Sequence, residues 1–353
     1  HQLLDDSHVI VLDASYHLPT AKRAPDQEFV EQHIPGALRF DIDEISDHQS
    51  ELPHMLPSAE QFDQAMQELG VGADMQIIVY DSVGLFSAAR AWWMFRYFGH
   101  NEVAVLDGGL PAWIEAGYDL EAGRGKVIPP PHPFKSKRHL GWVVTAEDLL
   151  ENLESGDKLV LDARAKPRYV GVAPEPRPGM RSGHIPESAN VPFTDLLDAN
   201  TGCFKPAEEI RERFVTAGVD HQSLVVSCGS GVTACVLALG LEIAGMLEPK
   251  LYLGLVATKM TCHGRRHLTN CRPRPRRLDG KGHQIVTAGG RVGQRIKCSC
   301  HPPAVTAGAN GFQAGNLLRA HLAIVDPPHL NFFAAITALG GRKAVHADDL
   351  AYA

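Results

Sequence analysis

The feature that most constrains this 353-residue chain is an internal repeat. His8 to Asp13, HVIVLD, is a short β-branched run ending on an acidic residue, and Leu159 to Asp162, LVLD, has the same form. A matching phrase follows each: His33-Ile34-Pro35-Gly36-Ala37 in the first half, His184-Ile185-Pro186-Glu187-Ser188-Ala189 in the second. Further on, Ile77-Ile78-Val79-Tyr80-Asp81 lies where Val225-Val226-Ser227-Cys228 lies in the other half. A chain that repeats strand, turn and helix signals in this way is restricted to two copies of one α/β unit. The predicted fold is therefore two tandem domains, each a short, mostly parallel sheet flanked by helices.

The boundaries follow from composition along the chain. Residues 1–120 form the first unit. Residues 121–140, rich in Pro, Gly and Lys, read as a linker, and 141–254 form the second unit. Thr145 and Asp148 make a capping-box-like pair that opens the second unit before an apolar helix. The repeat predicts a similar opening helix in the first unit, of which His1-Gln2-Leu3-Leu4 looks like the last turn, so an N-terminal truncation is expected. Apolar residues make up 44% and charged residues 21%, as in a globular protein, and no apolar run approaches the roughly 20 residues of a membrane span. The seven cysteines are scattered and odd in number, which does not suit a disulfide framework. A reducing compartment, the cytoplasm, is expected, with a mitochondrial home left open because the chain starts without methionine.

Chemistry is concentrated in Leu224 to Ala238, LVVSCGSGVTACVLA. An apolar strand ends at Ser227-Cys228, a loop holds two glycines around one serine, and the apolar periodicity of Val232, Cys235, Val236 and Leu239 begins a helix. A loop landing on a helix N-terminus points unpaired backbone N–H groups inward, where the helix dipole adds positive charge. A cysteine at its mouth is expected as thiolate, and Gly229 and Gly231 let the backbone wrap closely around whatever the sulfur holds. Cys228 is thus the candidate nucleophile. A lone cysteine before a glycine turn would read as structural, and Cys235 in its apolar run keeps that reading. The first unit has Asp81 at the position of Cys228, so it keeps the loop but not the nucleophile. Its segment Ala88 to Phe98, AARAWWMFRYF, reads as core packing.

The phrases LDASYHLP, HIPGALRFDID, HMLP, SAARAWWMFRYFGH, LDGGLPAW, GHIPESANVPF and CGSGVTAC run from Leu4 to about Gly254. Together they resemble the tandem rhodanese-like sulfurtransferases, a family with an inactive first copy and a second that has the cysteine loop. Family members acting on thiosulfate have cationic side chains directly after the cysteine. Gly229 and Ser230 stand there instead, and CGSGVTA is similar to the loop of the mercaptopyruvate branch. The resemblance implies that Arg168 and Arg177 bind the substrate carboxylate and ketone, with Gly229, Gly231, Val232 and Thr233 around the sulfur. It also implies a proton relay of Ser230, His54 and Asp43. The expected chemistry is double displacement through a Cys228 persulfide, with pyruvate released. A small thiol, a thioredoxin-type dithiol or cyanide then takes the sulfur, and neither metal nor organic cofactor is required. The rivals are a thiosulfate sulfurtransferase and a catalytically inactive rhodanese-like binding module. A cysteine-loop phosphatase is disfavoured, since it needs an arginine where Ala234 stands.

Charge changes abruptly at Gly254. Residues 1–254 have 20 Lys and Arg against 37 Asp and Glu, whereas 255–353 have 14 against 4. The resemblance stops at the same place. This basic tail has three readings: an appendage for nucleic acid or an acidic partner, a metal module built on Cys262, His263, His267, Cys271, Cys298, Cys300 and His301, or an out-of-frame translation. The spacings match no familiar zinc pattern, and the abrupt break favours the third reading, with disorder expected. No membrane partner is expected, and nucleic acid only if the tail is genuine.

Overall fold

The computed structural model describes residues 1–177, 182–220 and 223–254. The basic segment 255–353, with the three readings given to it, lies outside the described residues.

Two parallel sheets make up the architecture. In the first, β1 (Val9–Asp13), β2 (Leu38–Arg39), β3 (Gln76–Tyr80) and β4 (Val103–Val105) are ordered β2-β1-β3-β4. In the second, β5 (Val143–Val144), β6 (Lys158–Asp162), β7 (Ala189–Asn190), β8 (Ser223–Ser227) and β9 (Lys250–Tyr252) are ordered β5-β9-β8-β6-β7. Every pairing between these strands is parallel. Strands covered by helices on both faces should be apolar runs rather than alternating ones, as VIVL, IIV, LVL and LVV are. The helices are α1 (Pro25–Glu31), α2 (Ala59–Glu68), α3 (Ala88–Tyr97), α4 (Gly109–Glu115), α5 (Ala146–Ser155), α6 (Lys166–Tyr169), α7 (Ala207–Thr216) and α8 (Ala234–Ile243).

Register makes the repeat a matter of geometry. Asp13 pairs with Tyr80 across β1 and β3, and Asp162 pairs with Ser227 across β6 and β8. Asp81 and Cys228 are therefore each the first residue beyond equivalent strand ends. The strand-end acids repeat their local role too: Asp13 accepts from the Ser15 N–H at 2.8 Å and Asp162 from the Arg164 N–H at 2.9 Å. His33 and His184 each place Nδ1 on a backbone carbonyl, of Phe29 and Tyr169 respectively.

Local sequence accounts for the helix starts. Thr145 and Asp148 form a reciprocal capping box on α5, and Ser58 with Gln61 forms another on α2. The segment 121–140 runs along the first domain. Its backbone pairs His33 with Glu121, Ala73 with His132, and Phe98 with Lys137. The two domains share one core through α3 and α8, where Trp92, Trp93 and Phe95 are buried with Val236, Leu237 and Leu239. Arg96 on α3 forms an ion pair with Glu242 on α8 and stacks on Trp92 at 4.9 Å.

Candidate active site

Loops leaving the C-terminal ends of parallel strands converge beside β8, the usual place for a site in such sheets. Cys228 is buried, and its Sγ receives the Gly231 N–H at 3.1 Å. Gly231 has φ +82°, a conformation that side chains with a Cβ rarely adopt, and this turn aims its N–H back at the sulfur. The loop then passes through Thr233 into α8. A cavity of about 360 Å³ opens in front of the sulfur, with Cys228, Gly229, Ser230, Val232 and Thr233 on one wall. Gly231 faces away from it, toward Leu253 and Arg90.

Ser230 Oγ lies 2.8 Å from His54 Nδ1, and His54 Nε2 lies 2.8 Å from Asp43 Oδ1. The carboxylate assigns the tautomer: Nε2 donates to Asp43, which leaves Nδ1 to accept from the Ser230 hydroxyl. Burial pushes the His54 pKa below that of free histidine, although Asp43 opposes the shift, so the ring is neutral at neutral pH. The hydrogen bond from His54 holds Asp43 below the ordinary carboxylate range. His54 itself sits at φ +59°, in the left-handed region. All three residues implied for the relay thus meet, two from the first domain and one from the second.

Arg168 and Arg177 both line the cavity. Arg168, at the start of the second domain's loop layer, donates from Nη2 to Glu175 at 2.5 Å, and Arg177 donates to the Tyr16 hydroxyl at 2.8 Å. Three contributors were not foreseen from the sequence. Glu175 is buried between Arg168 and Arg164, with Arg164 at 2.9 Å. Arg164 in turn grips Asp162; burial works against its charge, but Asp162 and Glu175 outweigh burial and raise its pKa. Tyr16 packs edge-on to the His54 ring at 4.8 Å. The signals were present but faint: an acid between two arginines in RYVGVAPEPR and a tyrosine three residues after a strand end in LDASY.

The equivalent loop of the first domain has an aspartate in place of the cysteine. Asp81 turns its carboxylate into the ring of N–H groups, accepting from Val83, Phe86, Ser87 and Ala88 at 2.8–3.1 Å. The carboxylate occupies an anion nest in the loop equivalent to the one where the Gly231 N–H meets Cys228 in the second domain.

A rhodanese-like domain profile matches residues 1–116 and again 145–254. The chain is 47% identical over 247 residues to human 3-mercaptopyruvate sulfurtransferase, covering 69% of this chain and 82% of the human one. The chain belongs to the tandem rhodanese-like sulfurtransferases. Within this family it is also 42% identical over 277 residues to the mitochondrial thiosulfate/3-mercaptopyruvate sulfurtransferase 1 of Arabidopsis thaliana, covering 72% of each. The crystal structure of SseA from Escherichia coli, described as a 3-mercaptopyruvate sulfotransferase of rhodanese fold, matches with a TM-score of 0.66 at 39% identity. That match covers 72% of this chain and 95% of SseA. As a tandem rhodanese-like sulfurtransferase the chain is an enzyme, and among its described residues no helix is long and apolar enough to cross a membrane.

Proposed function

We propose that this sulfurtransferase takes sulfur from 3-mercaptopyruvate onto Cys228 and passes it to a thiol. The observation that carries this reading is the Asp43–His54–Ser230 relay, ending two residues from the nucleophile in a cavity with two arginines. Thiosulfate needs no proton moved, whereas a mercaptoketone does. In the first half-reaction the Cys228 thiolate attacks the substrate sulfur and the C–S bond breaks, its electron pair passing to carbon as the enolate of pyruvate. Ser230, with neutral His54 behind it, takes the proton of the substrate thiol and returns it to the enolate carbon. The outer sulfur of the persulfide is left anionic, facing the loop N–H groups. In the second half-reaction the acceptor thiol gives its proton to the anionic outer sulfur as its own sulfur attacks there, and the S–S bond breaks with Cys228 leaving as thiolate.

Arg168 and Arg177 are assigned to the substrate carboxylate and carbonyl, since an arginine fork matches a carboxylate in two hydrogen bonds. Gly229, Val232 and Thr233 shape the wall around the sulfur, and Gly231 supplies the N–H that meets it. On this reading residues 1–120 are the non-catalytic unit, 121–140 the linker and 141–254 the catalytic unit. The acceptor is a small thiol or thioredoxin-type dithiol. Free Cys203, Cys228 and Cys235 among the described residues suit a reducing compartment such as the cytoplasm.

Thiosulfate is the second reading, favoured by the cationic wall and by the double name of the Arabidopsis relative. The test is pyruvate release from 3-mercaptopyruvate with a thiol acceptor, run beside thiosulfate with cyanide. Higher kcat/KM for 3-mercaptopyruvate is expected. Preference for thiosulfate would reverse the assignment, and silence on both would leave a binding module.

A further inference from the structure

Arg90 is a fully buried charge that the relay and the cavity wall leave unused. It stands on the first turn of α3 in the first domain, with 1% of its surface exposed. Among the described residues no carboxylate pairs with it. Nη2 donates to the His54 carbonyl at 2.8 Å, while Nε and Nη1 have no acceptor. A methyl group placed on Gly231 would lie 3.3 Å from Nη1, so the cation sits directly behind the residue whose N–H meets the Cys228 sulfur.

An unpaired charge so deeply buried is strongly destabilising unless an opposite charge forms nearby. Two sulfurs lie within electrostatic reach of Arg90: Cys235, which is also within its hydrogen-bonding reach, and Cys228. Cys235 does not qualify, because burial pushes its thiol up to about 12 and its Sγ donates to the Gly231 carbonyl. Cys228 remains. The other contact of Arg90 has its own purpose: His54 is a non-glycine residue in the left-handed region, and a buried donor on its carbonyl holds it there.

We propose that Arg90 is a positioning residue delivered by the first domain to the active site of the second, fixing the His54 turn and standing as the buried counter-cation to the anionic sulfur of Cys228. The proposal rests on Cys228 being the nucleophile. The other charged or titratable groups facing that sulfur are Tyr16 beyond β1, Arg164, Arg168, Glu175 and Arg177 beyond β6, Cys235 on α8, and His54 with Asp43 through Ser230. All are unchanged in the variants that follow.

The test is the pH dependence of iodoacetamide alkylation at Cys228, read on its own peptide by mass spectrometry in the whole chain, for wild type, Arg90→Met and Arg90→Lys. Arg90→Met should raise the inflection by about one unit or more, which is about tenfold slower alkylation on the acid side. Arg90→Lys should keep the inflection within about half a unit of wild type while kcat falls, because an ammonium supplies the charge but not the fork. A wild-type inflection in Arg90→Met would overturn the proposal. If Arg90→Met does not fold, Arg90→Lys decides: a retained inflection supports the counter-charge, and a rise of about one unit or more overturns it. Failure of wild-type Cys228 to take sulfur from 3-mercaptopyruvate would instead sink the parent reading, and the alkylation comparison separates the two.

Discussion

At the scale of single residues, the site depends on protonation states set by burial. His54 is nearly inaccessible, its pKa is pushed down by that burial, and the relay needs its neutral form. A plot of kcat/KM against pH should therefore hold level through neutrality and fall on the acid side only below the 6.5 of free histidine. Asp43 raises the His54 pKa, so Asp43→Asn should move that acid limb to still lower pH while lowering the plateau. An unmoved limb would show that His54 does not govern the profile. Ser230→Ala removes the hydroxyl that links His54 to the substrate and should lower kcat for 3-mercaptopyruvate by about 100-fold, the lower end of what a positioned proton carrier supplies. Persulfide formation on Cys228, followed as a gain of one sulfur in intact mass, should slow in parallel and be absent in Cys228→Ser. Cys228 and Ser230 were legible because the motif is local. Tyr16 and Glu175 were not, because their partners are Arg177, Arg168 and Arg164, and nothing in the order of residues states that pairing.

Single elements show how one loop design serves two ends. After β8 the loop turns the Gly231 N–H onto a sulfur, and after β3 its N–H groups close on the carboxylate of Asp81. That carboxylate satisfies four N–H groups of the loop that leads into α3 while buried. Asp81→Ala should lower stability by about 3 kcal/mol, measured by urea unfolding, since hydrogen bonds to a charged acceptor are lost and their donors are left dry. Asp81→Asn, which keeps the shape and an acceptor oxygen, should be less severe. Helix α5 offers a milder test: Thr145→Ala removes one half of its capping box and should cost about 1 kcal/mol. The reading of Ala88 to Phe98 as core packing holds for its aromatic residues. Arg90 is the exception, a charge within that apolar helix whose burial and target only the fold reveals.

Among the described residues, the two domains are held together by the same surface that completes the site. α3 and α8 pack against each other, Arg96 bridges to Glu242 and Glu248, Phe86 meets Phe193, and the His54–Ser230 hydrogen bond crosses the same boundary. Reversing the bridge with Arg96→Glu places like charges at the boundary and should lower kcat and the thermal midpoint together. Loss of stability with unchanged kcat would mean that domain docking does not set the geometry of the relay. The sequence by itself determined the two α/β units, the strands that lead to Asp81 and Cys228, the Thr145–Asp148 cap and the cysteine loop, because these follow from periodicity and from residues close in the chain. Tertiary structure alone decided that Arg90 lies behind Gly231, that Glu175 sits between two arginines, and that Tyr16 of the first domain meets both His54 and Arg177 beside the second domain's nucleophile. Those contacts join residues as far apart in the chain as Tyr16 and Arg177, and only the packing of two sheets through a shared helical layer brings them within reach of one another.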